Sequence, residues 1–192
     1  MENLDQPTPS WTWKLLKSER GPELPIFKVR FDWLENPRNA AELKAVVLEA
    51  RDWVDVVAVT PEQKIVMVKQ YRFGIGDLSL EIPAGVTEPN EAPERAAKRE
   101  LLEETGYTTD DWTYLGWVYA NPAFLNNRCH QWLARNVRKT HAPHLDDGEH
   151  LEVDELTLTE VQDAVHAGRF RNSLGMLGLS KVFPFFFCEK HE

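Results

Sequence analysis

Three glutamates near the middle of the chain have the spacing of a metal-binding cluster. Glu100, Glu103 and Glu104 occupy positions i, i+3 and i+4, so a helix places their carboxylates on one face. Like charges at this spacing repel and destabilise a helix unless something offsets them. Mg²⁺ is a natural partner, because it binds oxygen ligands and typically uses a few carboxylates together with substrate phosphates. For these three residues alone, a solvated acidic helix face is the alternative interpretation.

The residues around the glutamates predict the helix that presents them. Asn90 is a candidate N-cap, and Pro93 is tolerated within the first turn. Ala97 and Leu101 are four residues apart and form a narrow apolar stripe that can pack inward. Gly106 is suited to end the helix.

The whole segment 85–107 resembles a complete Nudix box, the signature of hydrolases that cleave nucleoside diphosphates linked to another group. The family pattern is Gly, five residues, Glu, seven residues, and then Arg-Glu-apolar-any-Glu-Glu-any-Gly-apolar. Every fixed position is filled here, from Gly85 and Glu91 through to Gly106 and Tyr107. A solvated acidic face does not explain the glycines and Glu91 at these distances, so the complete box favours metal binding.

The resemblance implies which residues hold the metal and which act in catalysis. By position, the metal ligands are Glu100, Glu103 and Glu104, joined by the backbone carbonyl of Ala84 just before the box glycine. Mg²⁺, for which Mn²⁺ can substitute, would polarise the pyrophosphate and lower the pKa of a bound water. Glu103 is expected to act in catalysis, and so is Arg99, which can pair with a neighbouring carboxylate and hold it in place. The implied reaction is substitution at phosphorus by water or hydroxide.

Segments outside the box resemble the ADP-ribose pyrophosphatase and nucleoside diphosphate sugar hydrolase branch of the family. Lys69-Gln-Tyr-Arg72 is followed by Leu80-Glu-Ile-Pro-Ala-Gly85, although Lys69 departs from the Glu that is commoner there. The resemblance implies that Arg72 contacts substrate phosphate, and that Glu81 orients the site or touches a ribose hydroxyl. The alternative for Arg72 is a surface arginine at a strand end.

A second such segment is Asn121-Pro-Ala-Phe124, in which Pro122 fits a proline that marks the ADP-ribose branch. Phe124 is a candidate substrate-binding residue. Ala123 replaces the usual glycine, and the following Leu-Asn-Asn-Arg128 lacks the usual acidic residue. A different nucleotide sugar, such as GDP-mannose, is therefore credible. The alternative for Pro122 is a plain loop proline.

The third segment is an acidic loop at 145–153, where relatives carry a similar loop ahead of a strand. Glu149 aligns best with the loop carboxylate that serves as metal ligand or general base, and Asp147 is second. A mobile acidic loop can bring a base to the attacking water once substrate is bound. An ordinary polar loop is the alternative.

Apolar periodicity predicts the elements that position these residues. Strands are predicted within 11–33 and at 42–50, 53–59, 64–71, 78–83, 112–119 and 128–135. Two helices, at 159–169 and 173–188, follow the central one. The mixture fits an α/β class, and the resemblance implies the Nudix α/β/α sandwich with a mixed sheet. We expect an N-terminal β-strand region at 1–50, for dimerisation and substrate binding, and a Nudix hydrolase domain at 51–192.

Composition limits the partners. The net charge of −9 argues against a general nucleic-acid binder, because an acidic protein repels the phosphate backbone. The sequence has no apolar run of ~18 residues for a membrane span and no apolar signal segment, and its two cysteines are too few for a disulfide framework. A cytoplasmic location and a small-molecule substrate are expected. The branch commonly exchanges an N-terminal antiparallel sheet between subunits, so the resemblance also implies a homodimer.

As a whole, the resemblance implies Mg²⁺-dependent hydrolysis of the pyrophosphate bond in nucleoside diphosphate sugars such as ADP-ribose or GDP-mannose. The products would be a nucleoside monophosphate and a sugar phosphate. One alternative is a Nudix hydrolase of nucleoside triphosphates, dinucleoside polyphosphates or capped RNA. Another is a sensor that binds a nucleotide sugar without cleaving it. The intact box disfavours the sensor, as does the lack of room for a helix-turn-helix unit.

Overall fold

The chain divides into two compact units. The computed structural model describes residues 9–145, 148 and 150–184. The first unit contains the described residues up to Ala50 together with Asn121–Asn127, and the second contains Arg51–Ala120 and the described residues from Arg128 onward. The segment that carries Pro122 and Phe124 therefore belongs to the first unit.

The first unit is built on a three-stranded antiparallel sheet. Its strands are β1 (Lys14–Glu23), β2 (Lys28–Glu35) and β3 (Glu42–Glu49), in the order β1-β2-β3. Exposure along β2 does not alternate: most of its residues are half-buried, and Asp32 is buried. Ser18 Oγ donates to Asp32 at 2.6 Å and Arg30 Nε donates at 3.0 Å, and these bonds offset the burial of its charge.

The second unit is built on a seven-stranded mixed sheet. The strands are β4 (Trp53–Val59), β5 (Ile65–Arg72), β6 (Asp77–Glu81), β7 (Ala84–Val86), β9 (Asp111–Tyr119), β10 (Arg128–Arg135) and β12 (Leu151–Leu156). The order is β12-β5-β4-β10-β9, with β6 paired to β5 and β7 paired to β4. β10 and β4 are parallel, and the other pairs are antiparallel. The short strands β8 (Tyr107–Thr108) and β11 (Arg138–Lys139) pair separately.

Helices cover both faces of this sheet. α1 (Pro93–Thr105) packs on one face, and α2 (Leu158–His166) and α3 (Ser173–Val182) contribute to the other. Alternate residues of β4 enter the two cores: Val56 joins the core that contains Leu101 of α1, and Val57 joins the core that contains Leu179 of α3. The α/β prediction, with a mixed sheet and antiparallel N-terminal strands, is confirmed. No helix within the described ranges is long and apolar enough to cross a bilayer.

Three helix boundaries differ from the predictions. α2 ends at His166, short of the predicted residue 169, and the other two differences are at the start of α1 and the end of α3. α1 begins at Pro93 with Ala92 as its N-cap, so the prediction that Asn90 caps it is wrong. Asn90 instead has a left-handed φ of 64° in the preceding turn, a conformation that asparagine tolerates. α3 ends at Val182, short of the predicted residue 188, because Phe183 is extended ahead of Pro184. Residues 185–188 lie outside the described ranges.

The other signals for α1 are confirmed. Ala97 and Leu101 are fully buried. Gly106 is the C-cap, with a left-handed φ of 75°, and its N–H donates to the Leu102 carbonyl at 2.8 Å. A Cβ at Gly106 would lie 2.1 Å from the His141 carbonyl oxygen, so glycine is required for space as well as for conformation.

Candidate active site

α1 places its glutamates against the strand that precedes it. Glu100 and Glu104 are buried, whereas the side chain of Glu103 is partly open to solvent. The backbone N–H of Ala84, at the start of β7, donates to Glu104 Oε2 at 3.0 Å. The structure therefore places Glu104 against Ala84 and Glu100 against Gly85, in the strand that precedes the box helix.

Gly85 allows the close approach of Glu100 to the sheet. A Cβ at this position would lie 2.0 Å from Glu100 Cδ, far inside normal carbon–carbon contact. Gly85 pairs with Val54 in the middle of β7, so its backbone is held by the sheet. A glycine is needed here because the Glu100 carboxyl occupies the space that any side chain would take.

Arg99 ties the acidic residues of the box together. It forms a bidentate pair with Glu91, at 3.1 Å from Nε and 2.9 Å from Nη2, and Nη2 also donates to the Val86 carbonyl. Nη1 donates to Glu100 at 2.8 Å and to Glu103 at 2.9 Å. These bonds raise the pKa of Arg99 and lower that of Glu91. One guanidinium thus offsets the repulsion along the helix face and anchors the loop before it.

The predicted ligands are of the type that binds a hard divalent cation. Glu100, Glu103, Glu104 and the Ala84 carbonyl offer only oxygen atoms, which Mg²⁺ prefers. Across the described ranges, no three acidic, histidine or cysteine side chains are gathered into a preformed cluster. Glu100 and Glu103 are instead held by Arg99. The ligand types therefore fit a magnesium ion.

Arg72 and Glu81 form a bidentate ion pair across the β5–β6 hairpin. Arg72 Nε and Nη2 donate to the two Glu81 carboxylate oxygens at 3.0 and 2.7 Å. The Glu81 side chain is only 3 % exposed, whereas that of Arg72 is 44 % exposed. Burial pushes the pKa of Glu81 upward, but the hydrogen bonds and charge of Arg72 outweigh it and the net pKa is lowered. The charge of Glu104 also acts on Arg72, which places this pair beside the box.

Lys69 lies on the other face of the same hairpin. Side chains alternate along β5, so Lys69 faces away from Arg72. It lines a cavity of about 500 Å³ together with Leu80, Leu156 and Arg169. The departure at Lys69 from the commoner glutamate therefore does not alter the face that carries Arg72.

Phe124 and Glu149, two further predicted site residues, do not belong to the described part of the second unit. Phe124 belongs to the first unit, where it is exposed and its carbonyl accepts a 2.8 Å hydrogen bond from Leu48 N. Glu149 lies outside the described residues, as does Asp147.

Asp55 is a buried acid that the sequence interpretation missed. It interrupts the apolar strand Val54-Asp-Val-Val-Ala-Val59 and is only 5 % exposed. Burial raises its pKa to about 6, and the charges of Glu81 and Arg72 both act on it. An ionisable residue in the middle of an apolar β run is the signal that could have identified it.

Comparisons with known proteins agree with this architecture. The NUDIX domain model matches residues 50–174. A methanol dehydrogenase activator from Bacillus methanolicus is 35% identical over 161 residues, which cover 83% of this chain and 86% of the relative. An ADP-ribose pyrophosphatase from Bacillus subtilis is 38% identical over 130 residues, covering 67% and 70%. One from Mycobacterium tuberculosis is 30% identical over 162 residues, covering 82% and 76%.

A solved structure shares the fold. The crystal structure of an ADP compounds hydrolase superposes with a TM-score of 0.78 at 21% identity, and the match covers 90% of this chain and 93% of that one.

Proposed function

Because the chain belongs to the Nudix family, in its ADP-ribose pyrophosphatase branch, we propose that it hydrolyses nucleoside diphosphate sugars in a Mg²⁺-dependent reaction. Membership makes it a pyrophosphohydrolase. The proposed products are a nucleoside monophosphate and a sugar phosphate. The observation that carries the proposal is the complete box, with its Arg99-tied glutamates beside the Arg72–Glu81 pair.

Nudix hydrolases generally use divalent metal ions. Here Glu100, Glu103, Glu104 and the Ala84 carbonyl would hold Mg²⁺, which when bound polarises the pyrophosphate and lowers the pKa of a bound water. Arg99 keeps Glu100 and Glu103 side by side despite their like charges. We assign Arg99 this task of holding the ligands, because its hydrogen bonds within the described part of the chain go to carboxylates and one backbone carbonyl.

Arg72 is the proposed contact for a substrate phosphate. The planar guanidinium suits phosphate oxygens, and its exposed part is open to a ligand. Both Glu81 oxygens accept from Arg72, so an orienting role for Glu81 has more support than direct contact with a ribose hydroxyl.

The finer assignments stay predictions. They are Phe124 in substrate binding, Glu149 as metal ligand or base, a cytoplasmic location, and a homodimer with exchanged N-terminal strands. The homodimer has one supporting observation in the first unit: Trp11, Leu15 and Ile26 are exposed apolar residues, and a second subunit could cover such a surface.

A substrate panel tests the proposal. The chain is incubated with ADP-ribose, ADP-glucose or GDP-mannose in Mg²⁺, with GTP and a dinucleoside polyphosphate alongside, and the products are separated by anion-exchange chromatography. We expect AMP or GMP from the nucleotide sugars and no turnover in EDTA. Faster cleavage of GTP or the dinucleoside polyphosphate would favour the other hydrolase class. Binding of a nucleotide sugar without hydrolysis would indicate a sensor.

A further inference from the structure

Asp52 lies immediately before β4 and is hydrogen-bonded to a residue of the Nudix box. Its backbone carbonyl accepts two hydrogen bonds from Thr87, at 2.9 Å from the N–H and at 3.0 Å from Oγ1. Thr87 is buried and directly follows Val86, where β7 ends. It is the first residue of 87–92, the segment that joins β7 to α1 and that we call the box loop. Asp52 therefore fastens the start of the box loop to the sheet.

The side chain of Asp52 is held by β10. Arg128 donates its N–H to Asp52 Oδ1 at 2.8 Å, and His130 Nε2 lies 3.2 Å from Oδ2. Because a carboxylate only accepts hydrogen bonds, Nε2 is a protonated ring nitrogen. In the neutral ring, Nδ1 then accepts from the Tyr114 hydroxyl of β9 at 2.9 Å, and the Tyr114 and His130 rings are stacked. His130 is buried, which strengthens its hydrogen bonds relative to those in water.

The box loop leads to the arginine that holds the proposed metal ligands. On one side of Thr87, the Val86 carbonyl accepts from Arg99 Nη2 at 3.0 Å. On the other side, the Glu88 N–H donates to Glu91 Oε2 at 2.9 Å, and Glu91 forms the bidentate pair with Arg99. Arg99 also donates to two of the proposed metal ligands. A shift of Thr87 would therefore reach Arg99 through both of its neighbours.

We propose, on the basis of the proposed function, that Asp52 is a positioning residue for the metal ligands of the box. It holds Thr87 in place and thereby fixes the groups on both sides of Thr87 that hold Arg99. His130 and Tyr114 support its carboxylate from the neighbouring strands. Asp52 is not itself a ligand, and it touches neither the substrate nor the reacting atoms.

Two variants separate this role from a simple charge effect. Asp52→Ala removes both acceptor oxygens, so the backbone at this position loses its support from β10 and the box loop loosens. Asp52→Asn keeps an acceptor for the Arg128 N–H, and its amide can donate to His130 Nε2 once the ring adopts its other tautomer. The proposal therefore predicts weaker metal binding in Asp52→Ala and rescue in Asp52→Asn. Loss of the negative charge alone would weaken metal binding equally in both variants.

Metal binding is measured without substrate, using Mn²⁺ in place of Mg²⁺ and following the paramagnetic resonance signal of the free ion. We expect the dissociation constant to rise about tenfold in Asp52→Ala, at the lower end of the ~10–100-fold cost of losing an outer partner of metal ligands. It should stay close to the wild-type value in Asp52→Asn.

Asp111→Ala is the matched control for Mn²⁺ binding. Asp111 is an acid on β9 that accepts a 3.2 Å hydrogen bond from Asn136, and it pairs with Arg135 at the opposite end of β10 from Arg128. Its replacement should leave the dissociation constant unchanged. An unchanged dissociation constant in Asp52→Ala overturns the proposal, as does an equal rise in Asp52→Asn or in Asp111→Ala.

Hydrogen exchange in metal-free buffer shows whether the effect of Asp52→Ala is local. Peptides that cover the box loop should exchange about tenfold faster than in wild type, whereas those that cover β12 should be unchanged. A uniform increase along the whole chain would indicate a general loss of stability and would overturn the positioning role.

Both measurements are made without a nucleotide sugar, so they separate this inference from the proposed function. Wild-type Mn²⁺ binding without hydrolysis of any nucleotide sugar overturns the proposed reaction, while the role of Asp52 is still decided by the dissociation constants. The absence of Mn²⁺ binding by wild type overturns both, because Asp52 would then have no metal site to support.

Discussion

Replacing Gly85 with alanine should disable the candidate site through a single steric clash. The new Cβ would lie 2.0 Å from Cδ of Glu100 and 2.2 and 2.4 Å from its two oxygens. Non-bonded carbons prefer about 3.5–4.0 Å, so the carboxyl must move by roughly 1.5 Å or more. That movement breaks the 2.8 Å hydrogen bond from Arg99 Nη1 and displaces a proposed metal ligand.

Two magnitudes follow from the clash. Overpacking a buried position costs about 1–3 kcal/mol of unfolding free energy. For a chain of this length, that lowers the melting temperature by roughly 2–12 °C. A misplacement of about 1 Å can cost ~100-fold in rate, so kcat/KM of Gly85→Ala should fall by about two orders of magnitude. The Mg²⁺ concentration needed for half-maximal rate should rise as well.

The assay compares hydrolysis rates over a Mg²⁺ titration with thermal unfolding of the same preparations. Gly74→Ala is the control, because a Cβ there meets no atom within 4 Å. Adding Glu100→Ala to Gly85→Ala should restore the melting temperature without restoring activity. A Gly85→Ala variant with near wild-type kcat/KM would show that the clash does not displace Glu100. A double variant that melts as low as Gly85→Ala would show that the clash with Glu100 is not what destabilises the protein.

The remaining predictions concern charge. Glu81→Gln should raise KM about tenfold, because Arg72 loses its bidentate partner, and steady-state kinetics with Glu94→Gln as an exposed control will check this. Arg99→Ala should lower the unfolding free energy by about 3–5 kcal/mol in urea titrations, since a nearly buried carboxylate loses its cation; a loss below 1 kcal/mol would contradict it. The pKa of Asp55 is raised to about 6, so between pH 3.8 and about 6 the folded state binds a proton that the unfolded state has released. The unfolding free energy therefore falls as the pH rises through this range. The unfolding free energy of Asp55→Asn should therefore match that of wild type at pH 4 and exceed it by up to about 3 kcal/mol at pH 8 in metal-free buffer. The same difference in unfolding free energy at both pH values would contradict the raised pKa of Asp55.

Local signals predicted much of the site's framework. The box glycines and glutamates lie within 23 consecutive residues, and the structure confirms the helix, its apolar stripe and its C-cap at Gly106. The predicted strands at 53–59 and 128–135 match β4 and β10. Family membership is confirmed by the match over residues 50–174. These features depend on residues that are close together in the chain, so they can be predicted from a single sequence.

The failures involve contacts between distant residues. Asn90 has the composition of an N-cap, but the turn that contains it instead brings Glu91 to Arg99, eight residues away. Asp55 lies in register with Gln131 of β10, and strand pairing cannot be deduced from the spacing within β4. The end of α3 is a different kind of error, because Pro184 is a local signal for the end of a helix. The apolar residues after Pro184 led to a prediction that the helix continues to residue 188.

The proposed reaction is the Mg²⁺-dependent hydrolysis of a nucleotide sugar, with the box glutamates holding the metal ion. Its most direct test is AMP release from ADP-ribose by wild type, Glu103→Gln and Glu104→Gln at the same Mg²⁺ concentration, with folding checked by circular dichroism. We expect AMP and ribose 5-phosphate in equal amounts from wild type, and loss of most of the rate in both folded variants. Near-normal rates in the two variants would show that these glutamates do not hold the catalytic metal.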